Sequence, residues 1–472
     1  MSLAMLITMM LCFALTVSVA VSIGLSALIG IQVSNLNMLV AVKEMFSSIN
    51  KFPLAAIPFF ILAGNLMETG GISRRLVEFA KSLVGGVQGG LPMTCVLTCM
   101  IFAAVSGSSV ATTFAIGAIL IPALIKHGYP TPWAAALQAT SAELGVIIPP
   151  SIPMILYGVS AEVSIGELFI AGFGPGFLIG GGLMLFVFLW CRYKGWGKDD
   201  GEGRLPLRTA AVDLAFIVGF GIVVWLARRI TADETAHLLA PAAYLAVFLL
   251  VPPLRRIATG HAGLALLMPV IILGGIYGGI FTPTEASAVA VFYALIVGMA
   301  VYGEINFKGL FAILKKSVVS SSVIMFIIAN AGLFAYLITR AGVPDAIGLW
   351  LKEILQTPFL FLLGVNAALF VIGMFIETSA SIIVLAPILA PVALHFGVDP
   401  VHFGIVMVVN LALGMITPPF GVNLFAACTV ARISLDRIVT QLVPFVLVVL
   451  ASLMLITYIP PISLALRDLV YK

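Results

Sequence analysis

Two six-residue stretches carry the chemistry most open to reading: Gly145-Val-Ile-Ile-Pro-Pro150 and Gly414-Met-Ile-Thr-Pro-Pro419. Proline has no amide proton and clashes with the preceding turn, so a helix interior breaks there. The residue before it is driven toward extended geometry. Such a break leaves the carbonyls of Gly145, Ile147 and Ile148 without helical partners, and those of Gly414, Ile416 and Thr417 likewise. Hydroxyls precede each stretch: Ser106, Ser108, Ser109 and Thr112 in one case, Thr378, Ser379 and Ser381 in the other. Carbonyl and hydroxyl oxygens together form an all-oxygen cage suited to a hard cation. A proline kink with serines bonded inside their own helices would explain one such stretch. It explains two at the same spacing less well.

The spacing is shared because the chain repeats itself. A shift of 269 residues lays Ser106–Pro150 on Phe375–Pro419 without a gap. Ala111, Ile119, Leu120, Pro122, Gly128, Leu144, Gly145, Ile147, Pro149 and Pro150 then meet Ala380, Ile388, Leu389, Pro391, Gly397, Leu413, Gly414, Ile416, Pro418 and Pro419. Duplicated, interrupted hydrophobic segments point to the binding site of a secondary transporter. Free amides at helix N-termini favour an anionic group, so a carboxylate between the two polar tips is chemically natural. The candidates for holding it are Ser108, Thr112, Glu143 and Ser379, although the repeat core offers no basic partner. Glu68, Glu143 and Glu377 are functional candidates because an unpaired charge in a membrane is costly.

The elements that position these groups are those of an all-α polytopic membrane protein. Of 472 residues, 61% are hydrophobic and 9% charged, whereas soluble domains carry about 25% charged residues. Ser2 to Val42 is free of charge and lacks the basic start of a signal peptide, so it reads as retained membrane helix. The net charge of +4 is spread over loops and gives no case for nucleic acid. The five cysteines have no metal-ligand spacing, and Cys95 and Cys99 read as packing residues.

Along the chain, residues 1–52 read as N-terminal scaffold helices. Residues 53–160 hold repeat 1, with a re-entrant hairpin at 91–126 and a broken helix at 131–160. Residues 161–317 hold further scaffold and a cytoplasmic arm, including an insert at 196–261. Residues 318–430 hold repeat 2, with a hairpin at 359–396 and a broken helix at 400–430, and 431–472 hold the C-terminal helix. The hairpin arms read as about 15 residues each, short of the ~20 a crossing needs. Ile72 to Val84 is amphipathic and suits a membrane surface. Lys308 to Lys316 reads as a second surface arm, separate from a crossing at Ser320–Ile338. Val212–Leu226 and Leu238–Val251 fit either a membrane hairpin or two surface helices.

Placing Arg192–Arg208 in the cytoplasm by the positive-inside rule also places Arg74, Arg75, Lys81 and Lys126 inside, and Arg255, Arg256, Lys308, Lys315 and Lys316 too if the Val212–Val251 insert crosses twice or not at all. The hairpins then enter from opposite sides, which makes the repeats inverted. Thr282-Pro-Thr-Glu285 has the form of a capping box. Neither a G-x-x-x-x-G-K-[ST] nor an H-E-x-x-H motif occurs, and Ser106-Gly-Ser-Ser109 has no oriented base. An enzyme is therefore not expected.

Six blocks are similar to the large membrane subunit of tripartite ATP-independent periplasmic (TRAP) transporters. They are PFFILAGNLMETGGIS (58–73), GGLPMTCVLTCMIFAAVSGSSVA (89–111), IIPPSIPMILYG (147–158), SIGELFIAGFGPG (164–176), GGIYGGIFTPTEASAVAV (274–291) and NLALGMITPPFGVNLFAAC (410–428). The resemblance covers nearly the whole chain apart from Trp196–His261. It implies an elevator-type, sodium-driven importer of an organic anion, such as a C4-dicarboxylate or sugar acid, in a bacterial or archaeal inner membrane. It also implies a periplasmic solute-binding protein and a small four-helix membrane subunit, here expected as a separate chain. The implied sodium ligands are Ser106, Ser109, Gly145, Ile148 and Pro150 at one site, and Thr378, Ser381, Gly414, Thr417 and Pro419 at the other. No organic cofactor is implied. A stand-alone sodium/carboxylate transporter of similar hairpin architecture is the competing expectation.

Overall fold

The computed structural model describes residues 1–198, 207–230, 234–251, 261–355 and 357–471. Among the described residues all regular structure is helical, and nine helices are long and apolar enough to cross a membrane. The 269-residue repeat reappears as geometry. Ser109–Lys126 and Thr378–His395 begin and end at matching positions. Their partner arms, Gly90–Ser106 and Pro358–Phe375, match to within a residue. The arms run to 17 or 18 residues rather than 15, because each continues to the tip itself. Three of the four arms, Ser109–Lys126, Pro358–Phe375 and Thr378–His395, are thereby long and apolar enough to cross a membrane, so the shortness expected of them does not hold.

The halves pack reciprocally. The second part of broken helix 1, Ile152–Ser160, lies on hairpin arm Thr378–His395, and Val422–Ala431 of broken helix 2 lies on arm Ser109–Lys126. Val19–Val33 packs on Phe307–Arg340, while Pro283–Leu295 packs on Ala56–Thr69. Each half's element thus meets the neighbour of its counterpart in the other half.

Local sequence explains where the halves differ. In the first half Pro53 interrupts the helix, leaving Leu39–Ile49, a short 3₁₀ turn and Ala56–Thr69. The position 269 later is Ser322, and there one helix runs unbroken through Phe307–Arg340. The surface arm and the crossing expected as two elements are therefore one. Ile72–Val84 buries Leu76, Val77, Phe79 and Ala80 and turns Arg74 and Glu78 outward as an i,i+4 pair 3.5 Å apart. The Thr282–Glu285 capping box forms with both of its hydrogen bonds.

The insert contributes Leu207–Ile230 and Glu234–Leu250. They pack together through Phe216, Phe220, Tyr244 and Phe248, and sit on Leu264 and Leu267. Of the two, Thr209–Ala227 is long and apolar enough to cross a membrane, whereas Ala240–Leu249 is a shorter apolar helix. Residues 199–206, Arg255 and Arg256, which entered the charge reading, lie outside the described residues.

Beyond Leu435–Tyr458 a further helix, Pro461–Tyr471, folds back on Ile165–Lys194. Arg467 anchors it, lying 2.8 Å from Asp399, 2.7 Å from Asp468 and 3.8 Å from Glu167. Burial opposes ionisation of Asp399, but the Arg467 hydrogen bond and two backbone amides outweigh it and hold the carboxyl below its ordinary range. Docking is close enough that a Cβ on Gly174 would collide with the Ile462 carbonyl, whereas one on Gly181 meets nothing. Gly174→Ala should therefore cost about 1–3 kcal/mol through overpacking, and Gly181→Ala on the same helix should be neutral. Unfolding of the detergent-solubilised protein measures both; equal effects would contradict this docking.

Candidate functional site

At the first tip, Gly107 takes a left-handed conformation (φ +62°) that ends one arm, and Ser108 caps the next by accepting from the Ala111 amide. Thr112 Oγ1 donates to the Ser108 carbonyl at 2.8 Å and lies 3.0 Å from Ser106 Oγ. Gly145 of the broken helix fits directly against this turn. A Cβ there would come within 2.7 Å of Thr112 Oγ1 and 2.8 Å of the Ser108 carbonyl oxygen, so only glycine permits the approach. The Ile152 amide donates to the Gly107 carbonyl, tying tip and break together. Ser106, Ser108, Thr112, Gly145 and Pro150 are thus gathered into one place, and Ser109 is buried beside them.

The break behaves largely as the prolines dictate. Ile148 is extended (ψ 130°), and the helix parts Thr131–Ile147 and Ile152–Ser160 bend by 42°. Ser151 Oγ takes the Val146 carbonyl at 2.6 Å. Among the described residues, no hydrogen bond ends on the carbonyls of Gly145, Ile147 or Ile148. The Ile147 oxygen is turned toward Gly172 on the long helix Ile165–Lys194, which draws it away from the tip.

The second tip is built differently. Glu377 caps Thr378–His395, accepting from the Ala380 amide at 3.1 Å and from Ser379 Oγ at 2.8 Å. Thr378 Oγ1 points to Met415 Sδ at 2.9 Å, and Ser381 Oγ is buried without a partner. Gly414 lies back to back with Gly373, so neither could carry a side chain. The Gly414 carbonyl is not freed as the sequence suggested: the chain turns, and the Thr417 amide donates to it at 2.9 Å. Thr417 Oγ1 returns to Leu413, leaving the Ile416 and Thr417 carbonyls without a described hydrogen bond. Pro419 follows in this turn.

Between the tips runs a polar chain that repeat logic misses. Glu143 is 2% exposed, and its Oε1 accepts from Asn423 Nδ2. Thr113 Oγ1 donates to Asn423 Oδ1 at 3.1 Å. Broken helix 1, broken helix 2 and hairpin 1 are thereby joined, with Glu143 Oε2 left unpartnered and Glu377 within Coulombic reach of it. The positions 269 away from Thr113, Glu143 and Asn423 are Ile382, Ala412 and Met154. The network therefore exists once, and comparing the halves could not reveal it. The only signal was Glu143 itself.

Other candidates separate from the site. Glu68 bonds Lys316 at 3.1 Å near the surface, which removes it from the unpaired acids. Asn65 bonds Ser317 and Asn410 bonds Asn366, both across helices. Cys95 and Cys99 are buried against Gln138. Among the described residues no three His, Cys, Asp or Glu side chains gather into a metal-binding group. What is assembled is hydroxyl and carbonyl oxygen, a donor set for alkali or alkaline-earth cations.

Comparison with known proteins gives this arrangement its setting. Residues 6–462 match the family model described as tripartite ATP-independent periplasmic transporter, DctM component. The chain is 40% identical over 425 residues to the C4-dicarboxylate TRAP transporter large permease protein DctM of Pseudomonas aeruginosa, covering 90% of this chain and 88% of that one. It is 38% identical over 449 residues to the isethionate TRAP transporter permease protein DctMQ of Oleidesulfovibrio alaskensis, covering 95% of this chain and 63% of that longer protein. The solved YdaH transporter of Alcanivorax borkumensis shares the fold, with a TM-score of 0.56 at 16% identity over 91% of this chain and 86% of that one.

Asn423→Ala would leave the buried Glu143 carboxyl without its donor and should destabilise the protein by about 2–3 kcal/mol. Thr113→Val should cost about 1 kcal/mol. Adding Glu143→Leu to Asn423→Ala should recover much of the loss, because the stranded acid is gone. Chemical unfolding in detergent reads all three, and a harmless Asn423→Ala would refute the network.

Proposed function

The chain belongs to the DctM component family of tripartite ATP-independent periplasmic transporters, and from that premise we propose that it imports an organic anion across the inner membrane by sodium symport. It is a multi-pass membrane permease, not an enzyme. Relatives named for C4-dicarboxylate and isethionate support an anionic cargo. The observation that carries the sodium reading is the pairing of each broken helix with a hydroxyl-bearing tip through glycines that admit no side chain.

In this reading Ser106, Ser109, Gly145, Ile148 and Pro150 supply one sodium site. Thr378, Ser381, Gly414, Thr417 and Pro419 supply the other, with Ser381 Oγ a donor still lacking a partner. At the first site the free Gly145 and Ile148 carbonyls support the assignment. At the second, the Thr417 carbonyl is the freer oxygen, since that of Gly414 is engaged. The substrate lies between the tips against Ser108, Thr112 and Ser379. Glu143 acts on it through a neighbouring cation, because two like charges in a dry site repel.

Hairpins and broken helices then move as one body against scaffold helices such as Phe307–Arg340, carrying the cargo as an elevator. The charge distribution supports the opposite orientation of the halves. Membership in the family implies a small membrane subunit and a periplasmic binding protein. The relative named DctMQ spans more than this chain, so the small subunit's covalent arrangement differs among relatives.

Ser109→Ala and Thr378→Ala should each raise the sodium concentration for half-maximal uptake about tenfold, the factor for about 1.4 kcal/mol of lost binding, while the protein still purifies folded. Proteoliposome uptake with and without the solute-binding protein checks both halves of the reading. Unchanged sodium activation in both variants would remove the sites, and full uptake without the binding protein would favour a stand-alone transporter.

A further inference from the structure

A cavity of about 520 Å³ lies apart from both tips, between the scaffold helix Phe307–Arg340 and the hairpin arm Thr378–His395. Its mouth carries two cations, Lys51 and Arg340, from separate elements. Neither is within 4 Å of a carboxylate among the described residues. Lys51 Nζ reaches only the Val159 carbonyl at 3.4 Å, and Arg340 Nη1 donates to Tyr336 OH at 3.1 Å. Glu162 also lines the mouth and is unpaired, so the balance is two positive charges to one negative. In a chain with so few charges, two cations left unpaired at one opening are conspicuous by their chemistry.

The cavity has a direction. Its scaffold wall runs from Ile328 to Arg340, about 18 Å along the helix at 1.5 Å per residue. Its opposite wall includes Pro387 and Ile383. Residues four apart share a helix face, so the next position inward on that stripe is Ser379, at the second tip. The cavity lining on this arm ends at Ile383, and the same helix face, carried one turn further, arrives at the hydroxyl-bearing end of hairpin 2. The wall between is nearly neutral: Ala331, Gly332 and Ala335 on one side, Ile383 on the other. A low-dielectric slot with cations at its rim focuses the field and concentrates anions there.

We propose that this cavity is an anion-collecting vestibule in which Lys51 and Arg340 receive a small organic carboxylate or sulfonate before it reaches the tip of hairpin 2. The proposal rests on the reading of the chain as an organic-anion permease. It also supplies what the repeat core lacks, a basic partner for the cargo. Arg340 offers a planar fork suited to two oxygens of one acid group, and Lys51 a point charge for a second.

The field can be tested separately from transport. All five native cysteines are buried, so Ala335→Cys places one accessible thiol in the cavity wall. Its modification rates by the anionic 2-sulfonatoethyl and the cationic 2-trimethylammonioethyl methanethiosulfonate reagents report the local potential. We expect the anionic-to-cationic rate ratio to fall about tenfold when Lys51→Gln and Arg340→Gln are added. Lys51→Arg should keep the ratio. In proteoliposomes the Gln variants should raise the KM for substrate about tenfold, leaving the sodium dependence and the maximal rate as they were. An unchanged rate ratio overturns the vestibule, and so does a changed ratio with an unaltered KM. If the unmodified protein moves no organic anion at all, the permease reading fails, while the thiol rates still decide whether the cavity gathers anions.

Discussion

Everything in this molecule follows from one constraint: backbone carbonyls released inside a membrane protein must find a partner. Paired prolines release them in both halves, and the protein answers in different ways. Ser151 takes one carbonyl in the first half; a tight turn through Thr417 takes one in the second. Of the rest, the Ile147 oxygen turns toward Gly172, and those of Gly145, Ile148, Ile416 and Thr417 take no hydrogen bond among the described residues. Glycines at 145, 373 and 414 let backbone approach backbone there, so oxygen rather than side-chain bulk lines the contact. Such an oxygen surface has the donor chemistry of the hard cation proposed to bind there.

The two halves share a scaffold but not a chemistry. Helix ends, glycine contacts and proline breaks coincide at a fixed shift, and cross-half packing is reciprocal. The polar links do not coincide. Thr113, Glu143 and Asn423 stand opposite Ile, Ala and Met, and the second tip is capped by a glutamate where the first is capped by serine. Symmetry of backbone suits the elevator motion proposed above, in which one body presents the same shape to two sides of a membrane. Asymmetry of side chains suits a cargo that has no two-fold symmetry with respect to that body.

Much of this was legible in the sequence because proline, glycine and hydroxyl positions act locally. The breaks, the tips and the capping box at Thr282 needed only near neighbours. Three features did not. The Asn423–Glu143 bond joins residues 280 apart and has no echo in the other half. The continuity of Phe307–Arg340 depended on the absence of a proline where its counterpart has one. The C-terminal helix is held by Arg467 reaching Asp399, a pairing that only the folded chain brings together. For the Asn423–Glu143 and Arg467–Asp399 pairs the missing information was long-range contact; for the continuous helix it was a local difference between the halves, Ser322 in place of Pro53.

The central claim is that the two glycine-fitted oxygen clusters bind the coupling ion. The most direct measurement is a pair of high-resolution maps of the purified complex, one in sodium chloride and one in choline chloride. The account predicts density among Ser106, Ser109, Gly145 and Ile148, and among Thr378, Ser381 and Thr417, present in sodium and lost in choline. Maps identical at both clusters in the two salts, with no density in either, would contradict it.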